Sequence, residues 1–432
     1  MATLTQFDID CSLMAGRAYQ SNRYKEANWF PVPSGWQEIK HAEASDNSGF
    51  EAVSFTRGTG VNQEIVISFT GTNGSGDATA DAALLAGQWS AQLLRAAEYY
   101  MQVKALYPQA TITFTGHSLG GGLAALMGVF FNKNVVAFDQ APFRLAAMNV
   151  DIAMALKDIL IAGFPQSEYP QISDWLAPLT LFIGSPQYEL ANRESKVTNI
   201  NVQGEAVSYG SALRIGTDAN TITLENGSGS VPAMAINLHS QALLAAFLLD
   251  DRFRDVTNEL TSLLDMIFDK NLYYNDPTDQ NRNENFLERL IRYQTGSASG
   301  AVDSDMLTRF TDDLTMIAQE GGLTMNENIA KALSAFAMQM YYDDTNPNST
   351  NADKKLFDTV TVTGGIHFDR RDVADEYINV NAKGRHYFEN YLSFLPGAEI
   401  NLAALTAVEG KLPKLIDWYI QAGASPMNAT AG

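Results

Sequence analysis

The stretch Thr111-Ile112-Thr113-Phe114-Thr115-Gly116-His117-Ser118-Leu119-Gly120-Gly121-Gly122-Leu123 decides how this chain is read. Its first five residues alternate polar and apolar side chains, the period of a strand. The run from Leu119 to Phe131 that follows is small and apolar, and reads as a helix. A serine on so sharp a strand-to-helix turn is held in a strained backbone conformation with its hydroxyl exposed, and the flanking glycines remove Cβ atoms that would clash. The helix N-terminus beneath it favours developing negative charge. Gly116-His117-Ser118-Leu119-Gly120 is the only G-x-S-x-G run in the chain. The pattern alone is weak, and its setting between strand and helix gives it meaning.

Working outward, strands and helices alternate. Asp8 to Tyr19 reads as a helix, Phe50 to Phe55 as a strand, and Glu64 to Thr70 as a strand with Ile65, Ile67 and Phe69 on one face. A Gly-rich turn leads to a helix over Ala82 to Leu106, in which Leu84, Leu85, Trp89, Leu93, Ala96 and Tyr100 recur at three- and four-residue steps. Past the serine come strands at Asn134 to Phe138 and Val197 to Val202, and a helix at Gln241 to Leu249. This order predicts an α/β fold with a mostly parallel sheet covered by helices on both faces. Between Phe138 and Val197 lies a cap insertion, about 144–196, where Leu145, Met148, Ile152, Leu156 and Ile159 keep helical spacing. Beyond Asp250 the pattern turns mainly helical, with segments at Leu260 to Phe268, Phe286 to Tyr293, Met306 to Ile317 and Ile329 to Tyr341, and a short strand pair around Asp358 to Phe368. The expected division is a catalytic domain over 1–250 and a helical region over 251–432.

Composition narrows the function. The 432 residues carry 29 Lys+Arg against 49 Asp+Glu, a net charge of −20 that repels phosphate backbones, so no nucleic-acid partner is expected. With 46% hydrophobic and 18% charged residues the chain is globular rather than disordered. The lone Cys11 makes neither an intrachain disulfide nor a thiolate metal site, and no cofactor or metal is implied. No Sec-type signal is visible at the start and no apolar run reaches the roughly 18 residues of a membrane span, so a soluble product is expected, cytoplasmic or secreted by a signal-independent route.

The GHSLGG run after its strand, preceded upstream by Phe69-Thr70-Gly71-Thr72, resembles the class 3 lipases of the α/β-hydrolase superfamily over roughly residues 8 to 250. The resemblance implies that Thr72 supplies an oxyanion donor beside the backbone N–H of Leu119, and acyl transfer needs at least two such preorganised donors. The family commonly has Arg where this chain has Thr70. The fold also implies the order Ser, acid, His. Related lipases place Asp-Pro-Val where this chain has Glu205-Ala206-Val207, after the strand Val197 to Val202, and Glu can orient an imidazole as Asp does. Asp139, ending the strand beside that of the serine, is the alternative acid. Of the five histidines, His117 adjoins Ser118 and is expected to point away, and His41 precedes both motifs. His239 lies in a loop after Glu205, where the family places its base.

Two segments are candidates for a lid: Asn73 to Ala86, after the oxyanion turn, and the inserted helix Leu145 to Ile161. Asn275 to Asn285 lacks the Gly and Glu of a calcium loop and reads as solvated. The expected activity is that of a serine carboxylester hydrolase on a lipid or ester substrate, triacylglycerol lipase or phospholipase A1, with transient contact to a lipid interface. A short-chain carboxylesterase, a secreted effector or toxin using the same chemistry, and a catalytically silent hydrolase-fold interaction protein are the alternatives.

Overall fold

A computed structural model describes residues 3–19, 30–42, 49–71, 84, 86–226, 235–259 and 262–267, scattered helical residues between 287 and 315, and two strands at 359–362 and 366–369. The chain divides into two units, Met1–Leu249 and Asp250–Gly432.

In the first unit, α1 (Gln6–Arg17) starts on a capping box in which Thr5 and Asp8 bond each other's backbone N–H. Then come β1 (Gln37–Ala42), β2 (Ala52–Arg57), β3 (Glu64–Phe69), α2 (Ala91–Leu106), β4 (Thr111–His117), α3 (Leu119–Phe131) and β5 (Asn134–Phe138). The cap follows as α4 (Arg144–Met148), α5 (Val150–Gly163), α6 (Ile172–Gly184) and α7 (Pro186–Arg193), after which β6 (Val197–Val202), β7 (Thr221–Leu224), α8 (Ala235–Leu238) and α9 (Gln241–Leu249) close the unit.

Seven strands form one sheet in the order β1-β2-β3-β4-β5-β6-β7, the order of the chain. The first two pairings are antiparallel and the other four parallel. Successive right-handed crossovers in one direction put their helices on one face. Alternate strand residues sort accordingly. Ile65, Ile67, Phe69, Ile112 and Phe114 join the large apolar core with α2, α3 and the cap helices. Val66, Val136, Phe138 and Ile200, equally buried, lie outside that core. Their side is covered by α1, which packs on β3, β4, β5 and α9 and is tied to α9 by Gln241 Nε2 donating to Ser12 O at 2.6 Å. A mostly parallel seven-stranded sheet flanked by helices is an α/β-hydrolase-like fold.

Two expectations change. The helix expected over Ala82 to Leu106 is interrupted: Leu84 is helical, Gly87 makes a turn at φ 70°, and the long helix begins at Ala91, where Ser90 caps its N-terminus by accepting from Gln92 N. The single helix over Leu145 to Ile161 is two, broken at Asn149, whose extended backbone and side chain cap α5. The edge strands β1 and β7 and the helices α6 and α7 were not read from the sequence. The cap is fastened from α7: buried Arg193 donates from Nη1 to Val129 O and Phe130 O at the end of α3, and from Nη2 to Pro178 O in α6. A guanidinium there satisfies carbonyls that a helix end leaves free.

The second unit includes α10 (Asp251–Glu259), α11 (Ser262–Ile267) and the antiparallel pair β8 (Thr359–Val362) and β9 (Ile366–Asp369). Phe253, Leu263, Leu264, Leu290 and Phe310 are buried. The helix expected at Ile329 to Tyr341, the loop Asn275 to Asn285 and most of the lid segment Asn73 to Ala86 lie outside the described residues. Among those described, no helix is long and apolar enough to cross a membrane.

Candidate active site

Strand β4 delivers Ser118 to the turn before α3 at φ 59°, ψ −126°. That backbone geometry costs a non-glycine residue about 1–3 kcal/mol and survives only where its surroundings hold it. They do. Ser118 N donates to Phe138 O at 3.0 Å, and its carbonyl accepts from Gly122 N at 3.0 Å and Ala141 N at 2.9 Å. The glycines let α3 approach this closely: a Cβ on Gly116 would stand 2.5 Å from the Gly120 carbonyl, and one on Gly120 would stand 2.2 Å from Phe69 O. Ser118 itself is half-buried.

The loop after β6 carries Glu205, wholly buried. The one between α8 and α9 carries His239. His239 Nε2 lies 2.7 Å from Ser118 Oγ, and its Nδ1 lies 2.8 Å from Glu205 Oε2. The structure therefore brings together three of the residues singled out in the sequence. Two further groups hold the carboxylate. Val207 N donates to Oε2 at 2.7 Å, and Arg214 Nη2 donates to Oε1 at 2.5 Å. Arg214 is buried and also donates from Nε to Gln140 O at 2.9 Å, joining the loops after β5 and β6. Burial alone would raise the Glu205 pKa, but the His239 bond, the Arg214 charge and the Val207 N–H together bring it below the ordinary value. Glu205 is thus kept ionised.

Asp139 is placed differently. It ends β5 at φ 41°, fully buried, with Oδ1 accepting from Val202 N at 2.8 Å. Its other oxygen has no hydrogen-bond partner and stands 3.9 Å from His117 Nε2, likewise unpartnered. Burial, then the nearby Glu205 charge, pushes the Asp139 pKa up to about 7. The carboxylate that meets the Nδ1 of His239 is that of Glu205.

His117 does not point away from the site. Its ring packs on that of His239, centroids 4.7 Å apart at 38°, and Tyr19 OH stands 3.3 Å from its Nδ1. Burial, then the neighbouring His239, drives its pKa well below the ordinary imidazole value, so it stays neutral. His41 instead pairs with Glu38, on β1.

For the oxyanion, Leu119 opens α3, where first-turn N–H groups have no intrahelical acceptor. Thr72 lies outside the described residues, but its neighbour Gly71 is pressed on the site: a Cβ there would stand 2.8 Å from His117 O and 3.2 Å from Ser118 Cβ. Arg214 and Tyr19 went unnoticed in the sequence, since a lone Arg or Tyr in a loop has no spacing that marks it, and His117, named there, was expected to point away. Among the described residues, one group is placed to hold a metal: His117, Asp139 and His239, with ligand atoms all within 4.8 Å of one another.

Residues 12–157 match the family described as phospholipase-like, with a Tle-like phospholipase domain. The matched stretch includes Ser118 and Asp139 and stops short of Glu205 and His239. Among curated proteins, one named as a lipase, atg15, from Penicillium rubens is 40% identical over 57 residues, 13% of this chain and 8% of that protein. A lipase-named ATG15 of Mycosarcoma maydis is 37% identical over 57 residues, 13% of this chain and 11% of its own. The alignments thus span about a tenth of these relatives' length. Both kinds of likeness are to lipase-like proteins.

Proposed function

We propose that this protein is a serine carboxylester hydrolase acting on lipid esters, as a triacylglycerol lipase or phospholipase A1. One observation carries the reading: Ser118 Oγ, His239 and Glu205 form a continuous hydrogen-bonded line at 2.7 and 2.8 Å, with the serine on a strained, half-open turn.

Ser118 Oγ attacks the ester carbonyl as His239 Nε2 takes its proton; the carbonyl π pair moves onto oxygen, where the N–H groups of Leu119 and Thr72 receive it. Collapse breaks the bond to the leaving alcohol, which carries off the proton from His239. Water, deprotonated by the same imidazole, then cleaves the acyl-enzyme. Glu205 orients the ring and stabilises its protonated form, and Arg214 keeps Glu205 charged. The phospholipase-like match and the lipase-named relatives support a lipid substrate. So do the exposed cap residues Met148, Ile161 and Leu181, which suit transient contact with a lipid interface.

The test is an acyl-length and headgroup panel run on wild type and Ser118→Ala, with organophosphonate trapping of Ser118. Long-chain esters are the expected substrates. Hydrolysis retained in the alanine variant would remove the assignment.

A further inference from the structure

We infer that His117, Asp139 and His239 form a binding site for a borderline transition-metal ion, best matched by Zn2+, and that the ion silences the site by capturing the base. The silencing half rests on the proposed function; the binding half does not.

The donor atoms lie within 4.8 Å of one another, with His117 Nε2 and Asp139 Oδ2 3.9 Å apart. Both of those atoms are buried without any hydrogen-bond partner. An unmade bond at a buried polar atom costs about 1–3 kcal/mol, so two facing each other call for an explanation. Each side chain is also aimed by its other end. Asp139 Oδ1 takes the Val202 N–H, His117 Nδ1 meets Tyr19 OH, and His239 meets Glu205 through Nδ1. Carboxylate, backbone and hydroxyl partners of this kind orient the residues that bind metals.

Two imidazoles and one carboxylate with a fourth position open are a zinc donor set. With bonds of about 2.0–2.1 Å, tetrahedral ligands stand roughly 3.3 Å apart, so the three groups must draw in by about 1 Å. His239, its side chain 16% exposed where the other two are buried, has the freedom to do so, and the half-buried Ser118 beside it marks the way in. Both nitrogens of His239 are already engaged, by Ser118 and by Glu205. Whichever the ion takes, the line from Ser118 to Glu205 is broken. Asp139 also accepts a positive φ that glycine would occupy without strain, which a carboxylate needed at that point accounts for.

The experiment uses full-length Ser118→Ala protein, stripped with EDTA and titrated with Zn2+ against a chromophoric chelator, so that binding is read without catalysis. The expected result is a stoichiometric site weakened at least about tenfold in Asp139→Asn, which keeps the Val202 bond, and in His117→Phe, which keeps the stacking. In wild type, Zn2+ slows phosphonate labelling and ester hydrolysis, and EDTA restores both. No stoichiometric binding by the Ser118→Ala parent, or undiminished affinity in either folded variant, overturns the inference. Binding without slowed labelling overturns the silencing half. Binding in a protein that hydrolyses no ester leaves the metal site standing and fells the proposed function instead.

Discussion

Arg214 and Glu205 form a buried ion pair whose carboxylate reaches, through its second oxygen, the imidazole of His239. With the His239 bond, the guanidinium offsets the cost of burying that charge. Arg214→Met strands that charge at a cost of about 3–5 kcal/mol. Losing the cation also removes a contribution that lowers the Glu205 pKa, so the acidic limb of kcat/KM against pH moves to higher pH. Thermal melts and a pH–rate profile measure the two effects, and an unmoved limb would show that Arg214 does not tune this acid.

The two acids are separable. Glu205→Gln removes the carboxylate on Nδ1, and kcat is expected to fall by about 10⁴-fold. Asp139→Asn, whose carboxyl faces His117, lowers kcat by less than about tenfold. Steady-state kinetics on folded variants decide it; the opposite ranking would transfer the orienting role to Asp139.

Backbone strain at Ser118 gives a prediction that does not involve catalysis. Ser118→Ala keeps a Cβ at φ 59°, ψ −126°, whereas Ser118→Gly releases the strain. The glycine variant, equally inactive, should be more stable than the alanine variant by about 1 kcal/mol. Equal melting of the two would mean that the turn is unstrained.

Asp139 makes stability depend on pH in an unusual sense. Its folded pKa, about 7, lies above the ordinary 3.8, so between these values the folded state holds a proton that the unfolded chain has released. That group therefore costs nothing at pH 3 and progressively destabilises as pH rises through 7, by a few kcal/mol in order of magnitude. Glu205 works the other way: with its pKa lowered, it contributes stability above its unfolded value that is lost as pH falls. Asp139→Asn removes the first effect, and Asn suits φ 41°. It should match wild type at acid pH and exceed it at pH 8 in denaturant titrations. A gap that does not widen with pH would refute the shift.

Much of this was legible in the sequence because the signals were local. The alternation in Thr111 to Thr115 and the glycines after Ser118 place β4 and α3, and the bounds of α3, β5 and α9 follow from apolar runs with polar ends. The edge strands were not legible: β1 is nowhere fully buried and β7 has four residues, so neither shows clean alternation. Within the site, Ser118, Glu205 and His239 could be named from motif, order and resemblance. What surrounds them could not. Arg214 reaches Glu205 only through the packing of two loops, and the stacking of His117 on His239 joins residues far apart in the chain. Choosing between Glu205 and Asp139 needed the direction of a ring nitrogen, which no spacing encodes.

The sheet's strands stand in the order in which they are synthesised, so each can dock on a neighbour already made. Ser118 is in place early and its partner imidazole arrives some 120 residues later, near the end of the first unit. On the proposed mechanism a growing chain stays inert until the loop carrying His239 has followed the last strand, and truncation before that loop leaves the serine with nothing to wake it.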